Sequence, residues 1–94
     1  MEIKHKDFPS IGVFFIETDG EKLGELAYAK EGNDTIVIEH TEVSDKLQGK
    51  GAGKQLVSAA VSYAREKNIK IIPKCSFAKS VFDRVKEYQD VLKH

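Results

Sequence analysis

The hydrophobic period of this chain changes at one place, the run Gln48-Gly49-Lys50-Gly51-Ala52-Gly53. Before it, Thr35–Ser44 is rich in β-branched residues that suit a strand. After it, Leu56, Val57, Ala60, Val61 and Ala64 recur at helical spacing within Gly51–Lys67, leaving Lys54, Ser58, Ser62 and Arg65 for solvent. A strand that hands over to a helix through closely spaced glycines lets backbone N–H groups crowd around an anion, and the helix adds the positive end of its dipole. Such a turn can also close a tight connection with no ligand. Here the glycine spacing, the leading Gln48, the flanking Lys50 and Lys54 and the helix behind them favour phosphate.

The same change of period orders the rest of the chain. Ile11–Thr18 reads as a strand, Asp19-Gly20 as a turn able to take positive φ, and Lys22–Lys30 as a second strand with Leu26 and Tyr28 on one face and Glu25 and Ala27 on the other. Glu31-Gly32-Asn33-Asp34 then turns into Thr35–Ser44, completing an antiparallel meander. Asn68 is a helix stop, Ile69–Ile72 a short strand ended by Pro73, and Ser76 a cap for a second helix over Phe77–Lys86 that buries Phe77, Val81, Phe82 and Val85. Glu87–His94 reads equally as a helical extension or a final short strand. Strand, helix, strand from Thr35 to Ile72 is a right-handed crossover, so those two strands lie parallel. The fold class is α+β, with a mixed sheet and helices packed on it, in one domain over residues 1–94.

Composition narrows the function. Fifteen basic residues balance fifteen acidic ones, so no global field draws the chain to nucleic acid or anionic lipid. The single cysteine, Cys75, excludes an internal disulfide and a cysteine-based zinc cage, and no spacing among His5, His40 and His94 suggests a metal site. No apolar stretch approaches the roughly 20 residues of a membrane span, and Met1–Asp7 lacks the apolar core of a signal peptide. A cytoplasmic protein is expected. His5 and His94, at the termini, read as solvated.

Two nucleotide signatures fail on the glycine run. A Walker loop needs four residues before its Gly-Lys pair and a following Ser or Thr, but three separate Gly49 from Gly53 and Gln55 follows Lys54. A dinucleotide fingerprint needs a glycine where Lys54 stands. What fits is Gln/Arg-x-x-Gly-x-Gly/Ala, carried by Gln48, Gly51 and Gly53. With His40-Thr41-Glu42-Val43 before it, and Pro73-Lys74-Cys75-Ser76-Phe77 and Glu87-Tyr88-Gln89-Asp90-Val91 after it, the chain resembles the minimal single-domain members of the GNAT superfamily of N-acetyltransferases. The resemblance covers about Thr35 to Leu92.

That resemblance implies a compact sheet whose two parallel strands splay into a cleft for acetyl-CoA. The pantetheine arm would pair with the strand edge at Glu42, Val43 and Ser44. The amides of Lys50, Gly51, Ala52, Gly53 and Lys54 would surround the pyrophosphate, Gln48 would shape the turn or donate to a phosphate, and Gly49 belongs to the same cofactor-binding loop. Acetyl transfer to an amine needs a base, an oxyanion donor and an acid for the departing thiolate. His40 and Glu42, alternating onto one face, are candidate bases, and amides near Glu42 and Val43 are candidate oxyanion donors. His40 could equally tie the sheet end to a loop. Cys75 is a candidate acid, an acyl-accepting nucleophile, or a small buried hydrophobe. The family's usual tyrosine is replaced by Phe77 and Phe82, which leaves Tyr88 as a substitute acid or as core. The expected activity is acetyl-CoA-dependent N-acetylation of an amine on a small molecule or protein, by direct attack or through Cys75. The alternative is a CoA-binding module with little catalysis. The short turns at Asp19–Glu21 and Glu31–Asp34, where larger relatives carry two helices, leave the acceptor side open.

Overall fold

Four antiparallel strands follow in chain order, β1 (Lys4–Asp7), β2 (Ile11–Thr18), β3 (Glu21–Glu31) and β4 (Thr35–Val43), the last three carrying the apolar residues of the core. The structure, a computed structural model, describes residues 1–93. A 3-10 turn at Asp45–Leu47 and the glycine run lead into α1 (Ala52–Lys67). The chain then crosses to β5 (Lys70–Pro73), parallel to β4. After α2 (Ser76–Arg84) and a 3-10 segment (Lys86–Val91), Leu92 forms an isolated parallel bridge with Ile71. The five-stranded order β1-β2-β3-β4-β5 is the mixed sheet that the sequence implies.

Both crossovers advance in the same direction across the sheet, so right-handed connection puts α1 and α2 on one face. There Leu56, Val57, Ala60, Val61 and Ala64 of α1 and Ala78, Val81 and Phe82 of α2 bury Phe14, Ile16, Leu26, Tyr28, Ile36, Ile38 and Ile71. Among the described residues the other face carries no helix. Ile11, Val13, Ala27 and Ala29 lie on it beside charged neighbours, as expected of an antiparallel sheet with one solvated face.

Four local readings change. β1 has no apolar signal in the sequence, because Lys-His-Lys-Asp is polar on both faces. Its inward residues are held by one buried ring: Tyr28 donates to Asp7 Oδ1 at 2.6 Å, and His5 Nε2 lies 2.7 Å from the same hydroxyl. His5 stays exposed, as read, yet its ring stacks on Phe14 with centroids 4.0 Å apart; His94 lies outside the described residues. The α2 cap is Cys75, not Ser76: Cys75 is extended, and its Sγ accepts from Ala78 N–H at 3.3 Å. Phe77 stays 38% exposed, because Ala78, Val81 and Phe82 occupy the inward stripe. The tail is both of its alternatives, a 3-10 segment and then a bridge. Asn68 does end α1, in the left-handed conformation at φ 57°.

The network at β1 shifts its titrating groups. Burial pushes His5 below its ordinary value and Tyr28 above its own, while the Tyr28 hydroxyl, ahead of Lys30, holds Asp7 below the usual carboxylate range.

β4 carries the feature that positions the site. Tyr28 pairs with Ile38 and Ala27 with His40, which leaves Glu39 as an extra residue in a β-bulge. An unbroken alternation from Ile36 and Ile38 would carry His40 and Glu42 to the helix side. The bulge reverses this. Thr41 and Val43, paired opposite Leu26 and Gly24, face the helices, and His40 and Glu42, opposite Ala27 and Glu25, face away.

Candidate functional site

β4 and β5 part above Ile38. Their last register pair is Ile38 with Pro73, and the N–H groups of Lys74 and Cys75 both donate to the Ile38 carbonyl, at 3.0 and 3.1 Å. Beyond that point, among the described residues, β4 pairs with β3 alone. Ser44 N–H donates to the Leu23 carbonyl at 2.8 Å. By the two-residue alternation of an antiparallel ladder, Ser44, Glu42 and His40 spend their backbone groups on β3. The free edge is therefore Thr41 and Val43, which corrects the expected edge of Glu42, Val43 and Ser44.

A groove of about 490 Å³ runs from this edge to the start of α1. Thr41, Val43 and Leu47 line one side, Gly49, Gly51, Ala52, Gly53 and Lys54 its end, and Phe77 and Arg84 of α2 the other side. The glycine run folds as the sequence requires. Gly51 is the N-cap of α1 in the left-handed conformation (φ 69°), with no side-chain cap and no acidic residue in the first turn. The N–H groups of Ala52, Gly53 and Lys54 thus have neither an intrahelical nor a capping partner. Gln55 N–H is the first to bond back, to Gly51 at 3.0 Å. Lys50 N–H is already donated to the Leu47 carbonyl at 3.2 Å, which removes it from the expected amide cradle. A Cβ on Gly49 or Gly51 would meet nothing within 4 Å and would project into open space. At Gly53 it would stand 2.6 Å from Phe77 Cζ, so this glycine also seats the Phe77 ring. Gln48 is exposed and lies outside the lining, as does Lys50.

The candidate catalytic residues divide between the two faces. Cys75 Sγ lies 3.4 Å from Thr41 Oγ1, on the helix side of the splay. His40 and Glu42 lie on the opposite side, with His40 Nε2 3.4 Å from Glu42 Oε2 and 4.0 Å from Glu25 Oε2. Lys22 Nζ holds the other Glu25 oxygen at 2.6 Å. A cavity of about 260 Å³ opens beside them, bounded by Lys22, Gly24, Glu25, Glu42 and Val43. Tyr88 joins neither group. It packs edge-on against Phe82 with centroids 6.0 Å apart and under the Arg65 guanidinium. Arg65 sits twelve positions beyond Gly53, about 18 Å along α1 at 1.5 Å per residue.

Sequence reasoning missed Thr41, Leu47 and Arg84. Helical spacing from Phe77 would have found Arg84, seven positions on, whereas Thr41 depends on the bulge. Among the described residues no group of three or more His, Cys, Asp and Glu is placed to hold a metal ion, and no helix is long and apolar enough to cross a membrane.

Comparison with known proteins agrees with this geometry. The family model described as GCN5-related N-acetyl-transferase matches residues 13–91. The solution structure of a GCN5-like protein from Staphylococcus aureus, assigned to the N-acetyltransferases, is 43% identical, with a TM-score of 0.75 over 98% of this chain and 87% of that one. Protein NATD1 of Xenopus tropicalis is 38% identical over 45 residues, 48% of this chain but only 41% of that protein's length. The aminoglycoside N-acetyltransferase AAC(6')-Iy, solved in complex with CoA, shares the fold at a TM-score of 0.63 over 87% of each chain, with 13% identity.

Proposed function

Because this chain belongs to the GCN5-related N-acetyltransferase family, we propose that it binds acetyl-CoA in the groove between β4, α1 and α2 and transfers the acetyl group to an amine. One observation carries the reading: the β4–β5 ladder stops at Ile38 while an edge with free backbone groups continues to Val43, straight into the uncapped N-terminus of α1. The residues present fit the cofactor. Thr41 and Val43 offer strand-like partners to the amides of a pantetheine arm. Ala52, Gly53 and Lys54 offer N–H groups to a pyrophosphate, and Gly49 and Gly51 keep side chains out of its way.

Bound there, acetyl-CoA supplies an activated acetyl group and a thiol leaving group. The chain's residues do the rest. Because the cofactor fills the helix side, the amine approaches from the helix-free face, through the cavity beside Glu25 and Glu42. His40 takes the ammonium proton on Nε2, the nitrogen that faces both carboxylates, which then balance its charge. The free Thr41 and Val43 N–H groups stabilise the charge that develops on the acetyl oxygen. Cys75, capping α2 at the splay, gives its thiol proton to the departing sulfur as the C–S bond breaks, and the second proton shed by the newly acetylated nitrogen restores the thiol; Tyr88, packed against Phe82, takes no part.

Calorimetric titration with CoA and acetyl-CoA, followed by a thiol-release assay over small amines and lysine peptides, tests the proposal. Absence of binding at millimolar concentration would remove it. Binding without transfer to any amine would favour a CoA-binding module. Cys75→Ala separates direct attack from a covalent route. With Cys75 as the acid, turnover drops by about 10²-fold and mass spectrometry finds no acetylated wild-type protein when acceptor is withheld. A stoichiometric acetyl adduct on Cys75 would overturn direct transfer.

A further inference from the structure

The groove is polarised in a chain whose net charge is zero. Its lining holds two cations, Lys54 and Arg84, and no acidic residue. Lys54 stands in the first turn of α1, beside the amide cradle. Arg84 comes from the opposite wall. It lies two helical turns from Phe77 on the same face of α2, and Phe77 rests on Gly53.

The chain has two arginines, and they are used differently. Arg65 is clamped through Nε and Nη2 to the Asp90 carboxylate, both at 2.9 Å. Arg84 donates only Nε, to the Ser80 carbonyl at 3.3 Å, one turn back along α2. That bond directs the side chain toward the helix start, and no carboxylate among the described residues pairs with the guanidinium. Its terminal N–H groups are a planar fork suited to a phosphate.

The amide cradle accounts for two linked phosphates, because the N–H groups of Ala52, Gly53 and Lys54 and the α1 dipole already favour them. It does not account for a guanidinium on the facing helix, separated from it by the Phe77 ring. CoA carries a third phosphate, a monoester on the ribose 3′ position, one sugar away from the pyrophosphate. We propose that Arg84 binds this 3′-phosphate across the groove, with Phe77 lying under the adenosine between the two phosphate stations, so that the groove selects CoA over its 3′-dephospho form. The inference rests on the reading of the groove as a CoA site.

Calorimetry with CoA and 3′-dephospho-CoA on wild type, Arg84→Gln and Arg84→Lys tests it. Wild type binds CoA at least about tenfold more tightly than dephospho-CoA, as a charge-assisted fork implies, and the preference shrinks as salt rises. Arg84→Gln brings CoA down to the affinity of dephospho-CoA and leaves dephospho-CoA unchanged, which also shows that the variant is folded. Arg84→Lys keeps part of the preference. Equal binding of the two ligands by wild type would overturn the inference while leaving the CoA reading intact. So would an equal loss for both ligands in Arg84→Gln, since that would place Arg84 on the pyrophosphate. Failure of wild type to bind either ligand would overturn the CoA reading and the inference with it.

Discussion

Replacing Gly12 with alanine should destabilise the protein by about 2–4 kcal/mol, although it adds one methyl group to a strand. A Cβ at Gly12 would overlap Tyr28 Cζ and Oη and stand 2.7 Å from Cε1, so the ring must withdraw by about 1.5 Å to reach normal carbon contact. Tyr28 is only 1% exposed and cannot retreat without pushing on its neighbours. Overpacking of this kind costs about 1–3 kcal/mol. Moving the ring also loosens the hydroxyl's bond to Asp7, and a bond to a charged acceptor contributes about 1.5–3 kcal/mol. Asp7 is partly open to solvent, which puts that contribution at its lower end. The better strand propensity of alanine returns about 0.5–1 kcal/mol. Urea denaturation followed by circular dichroism measures the sum, and a double-mutant cycle with Tyr28→Leu isolates the cause. On that shortened background Gly12→Ala should cost nothing, giving a coupling of about 2 kcal/mol or more. A single-mutant loss below about 0.5 kcal/mol, or an additive cycle, would refute the argument. The contact joins β2 to β3 away from the groove lining, so the folded variant should keep wild-type CoA affinity.

Acid should act on the same network in two windows. His5 and Asp7 both have folded values below their unfolded ones, so each contributes stability that is present above its unfolded pKa, near 6.5 and 3.9, and is lost as pH falls through the folded value. His5 faces Tyr28, Asp7, Lys30 and Tyr63; His5→Phe should remove the upper window and Asp7→Asn the lower one in urea midpoints measured from pH 8 to 3, and unchanged profiles would count against the network. Gly51→Ala and Gly53→Ala should part company in thermal melts. Gly51 sits at φ 69°, where a side chain costs about 1–2 kcal/mol, or roughly 4–8 °C per kcal/mol for a chain of this size. Gly53 only displaces a 38% exposed Phe77 and gains helix propensity, so its melt should stay near wild type while CoA affinity falls; a collapse of Gly53→Ala would contradict that reading.

The elements whose period is local were legible in the sequence. The stripe Leu56, Val57, Ala60, Val61, Ala64 is buried as its spacing requires, the stop at Asn68 is real, and β4 and β5 run parallel. What was not legible depends on residues far apart in the chain. β1 has no apolar alternation because its inward groups are His5 and Asp7, and these pack inward only because Tyr28 needs partners for a buried hydroxyl. Cys75 displaces Ser76 as the cap because β5 ends at Pro73 and the next two amides close on Ile38, which sets the register of the α2 turn.

The bulge at Glu39 decides which β4 side chains share the groove, and no local pattern marks it. Alternation alone places His40 and Glu42 together, as they are, but leaves them on the side of Ile36 and Ile38, among the helices and against the groove lined by Thr41 and Val43. One extra residue reverses the strand's faces between Ile38 and His40. The same residue stands at the first position of β4 that has no β5 partner, so the change of face and the loss of pairing coincide. Chemistry that needs a cofactor on one side of a strand and a cationic amine on the other therefore requires both events at one point, because the acetyl group must be reached through the splay. His40 and Glu42 could serve as bases for such an amine only past the bulge, and Thr41 and Val43 could offer N–H groups to the cofactor only past the last β5 contact. Removing Glu39 from the chain should regularise the ladder without changing faces, because Ile38 and His40 then become neighbours on opposite sides and His40 stays opposite Ala27. CoA binding and transfer should both survive. A deletion variant that stayed folded and bound CoA but lost turnover would show that the division of the site across the strand is not what the chemistry uses.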